Sequence, residues 1–385
     1  MTQRSETLDQ AAVVAAPDLR PWQRLPMLVL GFAALLLGLL AGEARLGWAV
    51  PLPRPGLMAL HGPLMVCGFL GTLIGLERAI AVGRRLAYLG PAASATGGLL
   101  LIGGASIVMG AALFTLGALG LVAATYVAYL RQPALYTLTL LLGAGAWLVG
   151  NALWLGGVEL PQLVIWWAAF LILTIAGERL ELSRLLAPSA RAHRVFAVLV
   201  VLMLTTLVAL TVQLPWAGRM LPLVLLGLTA WLVQNDIARR TIHSHGLTRF
   251  MALCLLSGYL WLAVSALIGL FADEGLFAGR VYDATLHAIF LGFVFSMVFG
   301  HAPVILPSVT RLAVPFHPVF YLHWGVLQLS LLLRVIAQPL GWPADLSLAG
   351  ALNGIAIALF LLNTVAAVVR GRRARGLFAP TTNSR

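Results

Sequence analysis

Five of the eight histidines in this 385-residue chain fall in or at the edge of long apolar runs: His61, His287, His301, His317 and His323. An ionisable side chain is costly in the interior of a membrane, so that many histidines in apolar runs call for a chemical reason. Neutral imidazole can ligate haem iron or copper, and it can relay protons. The stretch Asp283 to Arg311, DATLHAIFLGFVFSMVFGHAPVILPSVTR, reads as one transmembrane helix with His287 and His301 near its two ends. They are 14 residues apart, about 21 Å of helical rise and nearly the same face. The segment GLMALHGPLMVCGFLGTLIGLERA opens the same way, with His61 just inside its start. His61 lies about five residues into its run and His287 about four, which puts both within ~8 Å of one membrane boundary. Equal depth is what bis-histidine ligation of a single haem iron requires, so His61 and His287 are the candidate axial ligands. Gly62, Gly68, Gly71 and Gly292 remove bulk where a macrocycle could lie. The alternative is that each imidazole bonds a neighbouring carbonyl and the small residues only let helices pack.

The remaining histidines sort by depth. His301 closes one run, and His317 and His323 open the next, across a short link holding Pro303, Pro307 and Pro315. The three could converge near one face and bind copper or a second haem, although a six-residue offset turns His317 and His323 roughly 120° apart on a helix. Snorkelling or capping at the interface is the competing account. Met65, one turn from His61, is a candidate soft copper ligand, against ordinary packing of a helical methionine. His243 and His245 sit among Arg239, Arg240 and Arg249 and read as a solvated loop; His193 reads as interfacial. Cys67 and Cys254 are single, far apart and in no metal spacing, so they read as small buried hydrophobes. Glu77-Arg78 and Glu178-Arg179 read as ion pairs pinning helix ends, with a proton path as the alternative.

These groups must be held by membrane helices. Hydrophobic residues make up 61% of the chain and charged residues 10%, a surface too apolar for a soluble domain of this length. The fold class is therefore an all-α polytopic membrane protein. Spans of about 20 residues fall at roughly 24–44, 56–80, 86–105, 108–130, 133–155, 161–183, 194–214, 219–238, 249–271, 284–306, 315–337 and 347–369, which makes 12 transmembrane helices. The weakest division is between the third and fourth, where Gly103-Gly104-Ala105 is the only break. Residues 1–23 read as a disordered cytoplasmic tail without a cleavable signal peptide, 24–371 as a single transmembrane domain, and 372–385 as a cytoplasmic tail.

The net charge of +12 does not point to nucleic acid, because all 25 basic residues are arginines clustered in short loops. With the N-terminus inside, 20 arginines lie inside and the other five, Arg45, Arg54, Arg219, Arg280 and Arg334, lie outside. That asymmetry predicts both termini in the cytoplasm. A weak repeat links spans 2, 6 and 10, which end in Gly75-Leu76-Glu77-Arg78, Gly177-Glu178-Arg179 and Gly300-His301. The period of four divides the chain into three four-helix units.

Leu-His61-Gly-Pro-Leu-Met65-Val-Cys-Gly-Phe, Leu-His287-Ala-Ile-Phe-Leu-Gly292 and Gly177-Glu-Arg resemble the NnrS family. Those are twelve-span bacterial membrane proteins that contain haem and copper and are linked to the response to nitric oxide. More distantly, the chain resembles the catalytic subunit of haem–copper oxidases and nitric oxide reductases, whose low-spin haem is held by histidines on spans 2 and 10. The resemblance implies haem b and copper as cofactors, a lipid bilayer and nitric oxide or another small molecule as partners, and a role in nitrosative stress or membrane electron transfer. The chain departs from both patterns. NnrS proteins carry a His-x-His-Glu-like cluster in span 2, where a single His61 is followed here by Gly62-Pro63-Leu64. The oxidase pattern needs a second span-10 histidine, where Thr285 stands, and copper histidines in span 6, which reads Trp166-Trp167. An oxygen-reducing binuclear centre is therefore not expected.

Two other functions compete. Twelve spans with both ends inside suit a secondary transporter of a small solute, although a midplane nearly free of acids argues against ion coupling. A nitric oxide-reducing enzyme would need His301 and His323 to hold a metal.

Overall fold

The computed structural model describes residues 18–272 and 281–377, and among them the chain is helical with no strand. Twelve helices are long and apolar enough to cross a membrane, which makes this a multi-pass membrane protein. They are α1 (Pro21–Arg45), α2 (Pro55–Val82), α3 (Arg85–Gly103), α4 (Ile107–Arg131), α5 (Leu135–Leu155), α6 (Leu160–Leu186), α7 (Ala190–Thr211), α8 (Ala217–Asn235), α9 (Gly246–Phe271), α10 (Tyr282–Thr310), α11 (Phe320–Gln338) and α12 (Asp345–Arg372). The break between the third and fourth spans is real. Gly104 ends α3 with φ +96°, a conformation that needs no side chain, and two residues on the Ser106 hydroxyl accepts the Met109 N–H at the start of α4.

Three helices form the centre. In their most apolar 18 residues, α2, α6 and α10 have 67, 78 and 67% of positions buried, against 28–50% for the other nine. They are the helices related by the four-helix period. Within each unit of four, sequential helices pack together and the second helix also meets the fourth or the first meets the third. The units join through α4–α5, α8–α9 and α12–α1, which closes a ring around the central three. α10 packs against both α2 and α6, and Arg78 of α2 is bonded to Glu178 of α6. The two Glu-Arg motifs thus pair with each other across helices. That uses one motif's arginine against the other's carboxylate, where the sequence offered only local pairs.

Small residues set the interhelical distances. A Cβ on Gly71 would lie 2.3 Å from the Trp147 ring, and one on Gly292 would lie 2.4 Å from Trp261 Cβ. Gly68 faces Ala34 and Gly98. These three glycines therefore admit neighbouring helices, and the expectation that they clear space for a macrocycle is corrected; only Gly62 opens onto free space. A buried polar knot adds specificity at the same level. Asn151 Oδ1 accepts from Trp167 Nε1 at 2.9 Å and from Cys67 Sγ at 3.3 Å, while its Nδ2 donates to the Phe114 carbonyl at 3.0 Å. One side chain thereby ties α2, α4, α5 and α6 together.

The ends differ from expectation. Of the N-terminal tail, 1–17 lie outside the described residues, but Asp18 is anchored, accepting from Arg24 and Tyr88 at 2.6 Å each. The last helix runs on to Leu377, beyond the expected domain end at 371, and 378–385 lie outside the described residues. α10 keeps Pro303 and Pro307 inside the helix, where the sequence placed them in a link, and α11 starts at Phe320, so His317 precedes it.

Candidate functional site

α2 and α10 share an unusual local build. Three residues after His61 and directly after His287, each helix widens to π-helical hydrogen bonding for eight residues, Leu64–Gly71 and Ala288–Phe295. Such segments insert an extra residue into a turn and are frequent at functional sites. Both histidines line one cavity of about 270 Å³, with further lining residues from α1, α2, α6, α10, α11 and α12. Leu39, Val66, Val164 and Phe290 supply apolar wall, and Trp167 closes the α6 side. Four charged residues also line it, Glu43, Arg45, Asp283 and Arg334.

The two imidazoles come together. Their ring centroids are 6.4 Å apart with 22° between the planes. Metal–imidazole bonds near 2.0–2.1 Å, plus ~1.1 Å from Nε2 to each ring centre, put the centroids of two histidines sharing one ion ~6.3 Å apart. Each Nδ1 is already committed. His61 Nδ1 lies 2.6 Å from the Gly38 carbonyl of α1, and His287 Nδ1 lies 2.8 Å from its own Asp283 carbonyl and 3.2 Å from the Asp283 carboxylate. As donors to these oxygens the Nδ1 atoms carry the proton, which leaves both Nε2 lone pairs available for a metal. Asp283 in turn accepts from Arg334, which is 3% exposed.

Glycines of α1 make this approach possible. A Cβ at Gly42 would stand 2.8 Å from His61 Nδ1, and one at Gly38 would stand 3.0 Å from Met65 Sδ. Met65 therefore lines the cavity one turn from His61 but turns its sulfur toward α1.

The other candidates do not gather. His317 is exposed, and its Nδ1 accepts the Val319 N–H at 3.2 Å, which makes it part of the turn into α11. His323 is 1% exposed inside a box of phenylalanines, with Phe299 edge-on at 4.7 Å, and its Nδ1 meets Asn363 Nδ2 at 3.1 Å. His301 Nδ1 bonds the Met297 carbonyl at 2.8 Å. Its Nε2 and that of His323 are buried without a partner among the described residues. Among those residues no three or more His, Cys, Asp or Glu side chains are placed to hold a metal ion. The expected convergence of His301, His317 and His323 is thus corrected, because the last two fall on either side of a helix start. His243 and His245 are exposed, as a solvated loop requires.

Three participants were not singled out in the sequence. Asp283 was signalled by its i,i+4 spacing to His287, and Arg334 by being a charge inside an apolar run. The closing role of Trp167 had no sequence signal.

No curated protein and no solved structure matches the chain. Residues 24–369 match the family described as Domain of unknown function (DUF8744), and the chain belongs to that family.

Proposed function

We propose that this is a haem-binding membrane protein of NnrS-like type, with His61 and His287 as the axial ligands of a b-type haem. The observation that carries the reading is the pair itself. Two imidazoles from central helices stand 6.4 Å apart over a cavity, each with its Nδ1 fixed by an oxygen. The donor set suits ferrous and ferric iron, and the apolar walls with charged residues among them suit a flat hydrophobic ring that carries carboxylates. The cavity sits just under the usual range of ~300–1,000 Å³ for pockets that enclose a whole ligand. Arg45 and Arg334, which line the cavity, would pair with the carboxylates of such a ring. Bound there, it would supply one-electron chemistry and an iron that takes small ligands.

On this reading the protein serves the response to nitric oxide or membrane electron transfer, in a bacterial inner membrane with both termini in the cytoplasm. Copper has less support, because among the described residues lining the cavity Met65 is the one soft donor. The transporter reading is favoured by broken helices, and α2 and α10 stay continuous through their π-helical turns. A nitric oxide-reducing centre has less support, because among the described residues no group of three or more His, Cys, Asp or Glu side chains placed to hold a metal ion includes His301 or His323.

The test is the reduced-minus-oxidised absorption spectrum of detergent-purified protein from haem-replete cells, with metal analysis of the same sample. Soret and α bands at about one haem per chain are expected. A colourless protein would overturn the proposal.

A further inference from the structure

We infer that the edge of the bundle formed by α7 and α8 binds an anionic phospholipid. Arginines at the helix ends grip its phosphate, and the apolar face of α7 lies along its chains. No residue of α7 or α8 lines the histidine cavity, so this site stands apart from the haem reading.

The face of α7 is built for an amphipathic occupant. In its most apolar 18 residues the helix is 33% buried, and only α12 is lower. Arg191, Arg194, Val198, Val201, Thr205 and Val208 are all exposed. At 100° per residue these six fall within about 100° of one another, on a single face. The three valines are 54–56% exposed. From Arg194 to Val208 the helix rises about 21 Å. One leaflet contributes about 15 Å of hydrocarbon. Two cations therefore stand directly above an apolar strip as long as an acyl chain.

α8 brings a second pair of arginines to the same end. Its Trp231 donates Nε1–H to the Ala192 carbonyl at 2.8 Å, and its ring meets Phe196 at 4.6 Å. These contacts fix the end of α8 against the first turn of α7. Beyond α8, Asp236 accepts the Ala238 N–H at 2.7 Å and the Tyr259 hydroxyl at 2.5 Å. Arg239 and Arg240 follow, both exposed.

The protein leaves this charge unbalanced. Among the described residues, none of the four arginines makes an ion pair. The one printed bond is from Arg239 to the Gln234 carbonyl at 3.2 Å. Asp236 is 2% exposed and already committed. At the same end of the bundle, Arg24 is bonded to Asp18 and Arg78 to Glu178. Topology accounts for arginines in a loop, but not for a surplus that continues into a lipid-facing strip. A phosphate diester accepts two parallel bonds from a guanidinium. A choline headgroup adds its own cation and cancels much of the gain, so the occupant is a lipid of net negative charge.

The experiment titrates the full-length protein, purified in nonionic detergent, with phosphatidylglycerol or with phosphatidylcholine of the same chains. Native mass spectrometry counts the bound lipid, and thermal unfolding is followed on the same samples. Wild type should retain phosphatidylglycerol about tenfold better and unfold at a higher temperature in its presence. An arginine near an anionic surface contributes about fivefold in binding, so Arg191→Gln/Arg194→Gln should lose about tenfold or more. Its unfolding temperature without lipid should match wild type, since both side chains are exposed. Arg370→Gln/Arg372→Gln removes the same charge from the exposed end of α12 and should keep the preference. Equal retention of the two lipids by wild type overturns the site. Equal loss in both double variants does so too, because it marks a general attraction to the basic end. Displacement of phosphatidylglycerol by millimolar inorganic phosphate would also overturn it, since the apolar strip would then contribute nothing.

Discussion

α10 carries two histidines on nearly the same face, and the two ends of this one helix behave differently. At both, the imidazole Nδ1 bonds the carbonyl four residues back, Asp283 for His287 and Met297 for His301, at 2.8 Å in each case. That bond is a local property of histidine in a helix and identifies nothing. What differs is the far side of the ring. His287 faces a second imidazole across a cavity, with a carboxylate and an arginine behind it. Among the described residues, His301 leaves its Nε2 buried without a hydrogen-bond partner and faces no second imidazole in a ring contact. A buried histidine therefore becomes a candidate ligand when a second helix delivers a partner at metal-spanning distance.

The largest effect should come from breaking this difference directly. His61→Ala and His287→Ala should each change the haem spectrum of purified protein, whereas His301→Ala and His323→Ala should leave it as in wild type. Loss of the bands on removing His301 would move the haem to the other end of α10.

A smaller effect is expected behind the pair. Arg334→Leu leaves the Asp283 carboxylate without its cation, and breaking a fully buried pair costs about 3–5 kcal/mol. Asp283 is 29% exposed, so the loss should lie at or below the low end of that range. Thermal unfolding in detergent, followed by fluorescence, would read it. Restoration of wild-type stability in Arg334→Leu/Asp283→Leu would show that the unpaired charge is the cause.

The knot at Asn151 sharpens the comparison from the side of packing. Asn151→Leu leaves the Trp167 indole N–H and the Phe114 carbonyl without their partner, each a desolvation cost of about 1–3 kcal/mol. The variant should unfold at lower temperature. Because Trp167 also closes the cavity, its spectrum should shift slightly without loss of haem. An unchanged melting temperature would show that water replaces the amide.

The architecture was legible because its signals are strong and local. Apolar runs and arginine loops mark twelve helices, the Gly103-Gly104-Ala105 break being the weakest of the divisions, and the recurrence at spans 2, 6 and 10 marks the three that are most buried. The pairing of His61 with His287 was legible through equal depth on those helices. The roles of the glycines were not, since only the packed structure shows that Gly71 meets Trp147, Gly292 meets Trp261 and Gly62 meets nothing. The π-helical turns were equally hidden, because the residues that form them differ in no composition from ordinary membrane helix. For His317 the capping account holds, since it precedes α11 and accepts the Val319 N–H, whereas its convergence with His323 does not.

The smallest expected effect lies at the other end of the bundle, where Arg78 of α2 meets Glu178 of α6 and also lies 3.4 Å from Glu77. The side chains are 17% and 28% exposed, so the pair is neither a free surface contact nor a fully buried one. Exposed ion pairs contribute about 0–1 kcal/mol, and partial burial should place this one near the top of that range. Glu178→Gln keeps the shape and a hydrogen bond to Arg78, and should cost less than Arg78→Leu, which strips Glu178 of its cation. A double-mutant cycle between the two sites, read by thermal unfolding at low and high salt, measures the coupling. A coupling that falls with salt marks an accessible staple between two central helices. A coupling that is large and independent of salt would mean that this end is shielded from solvent.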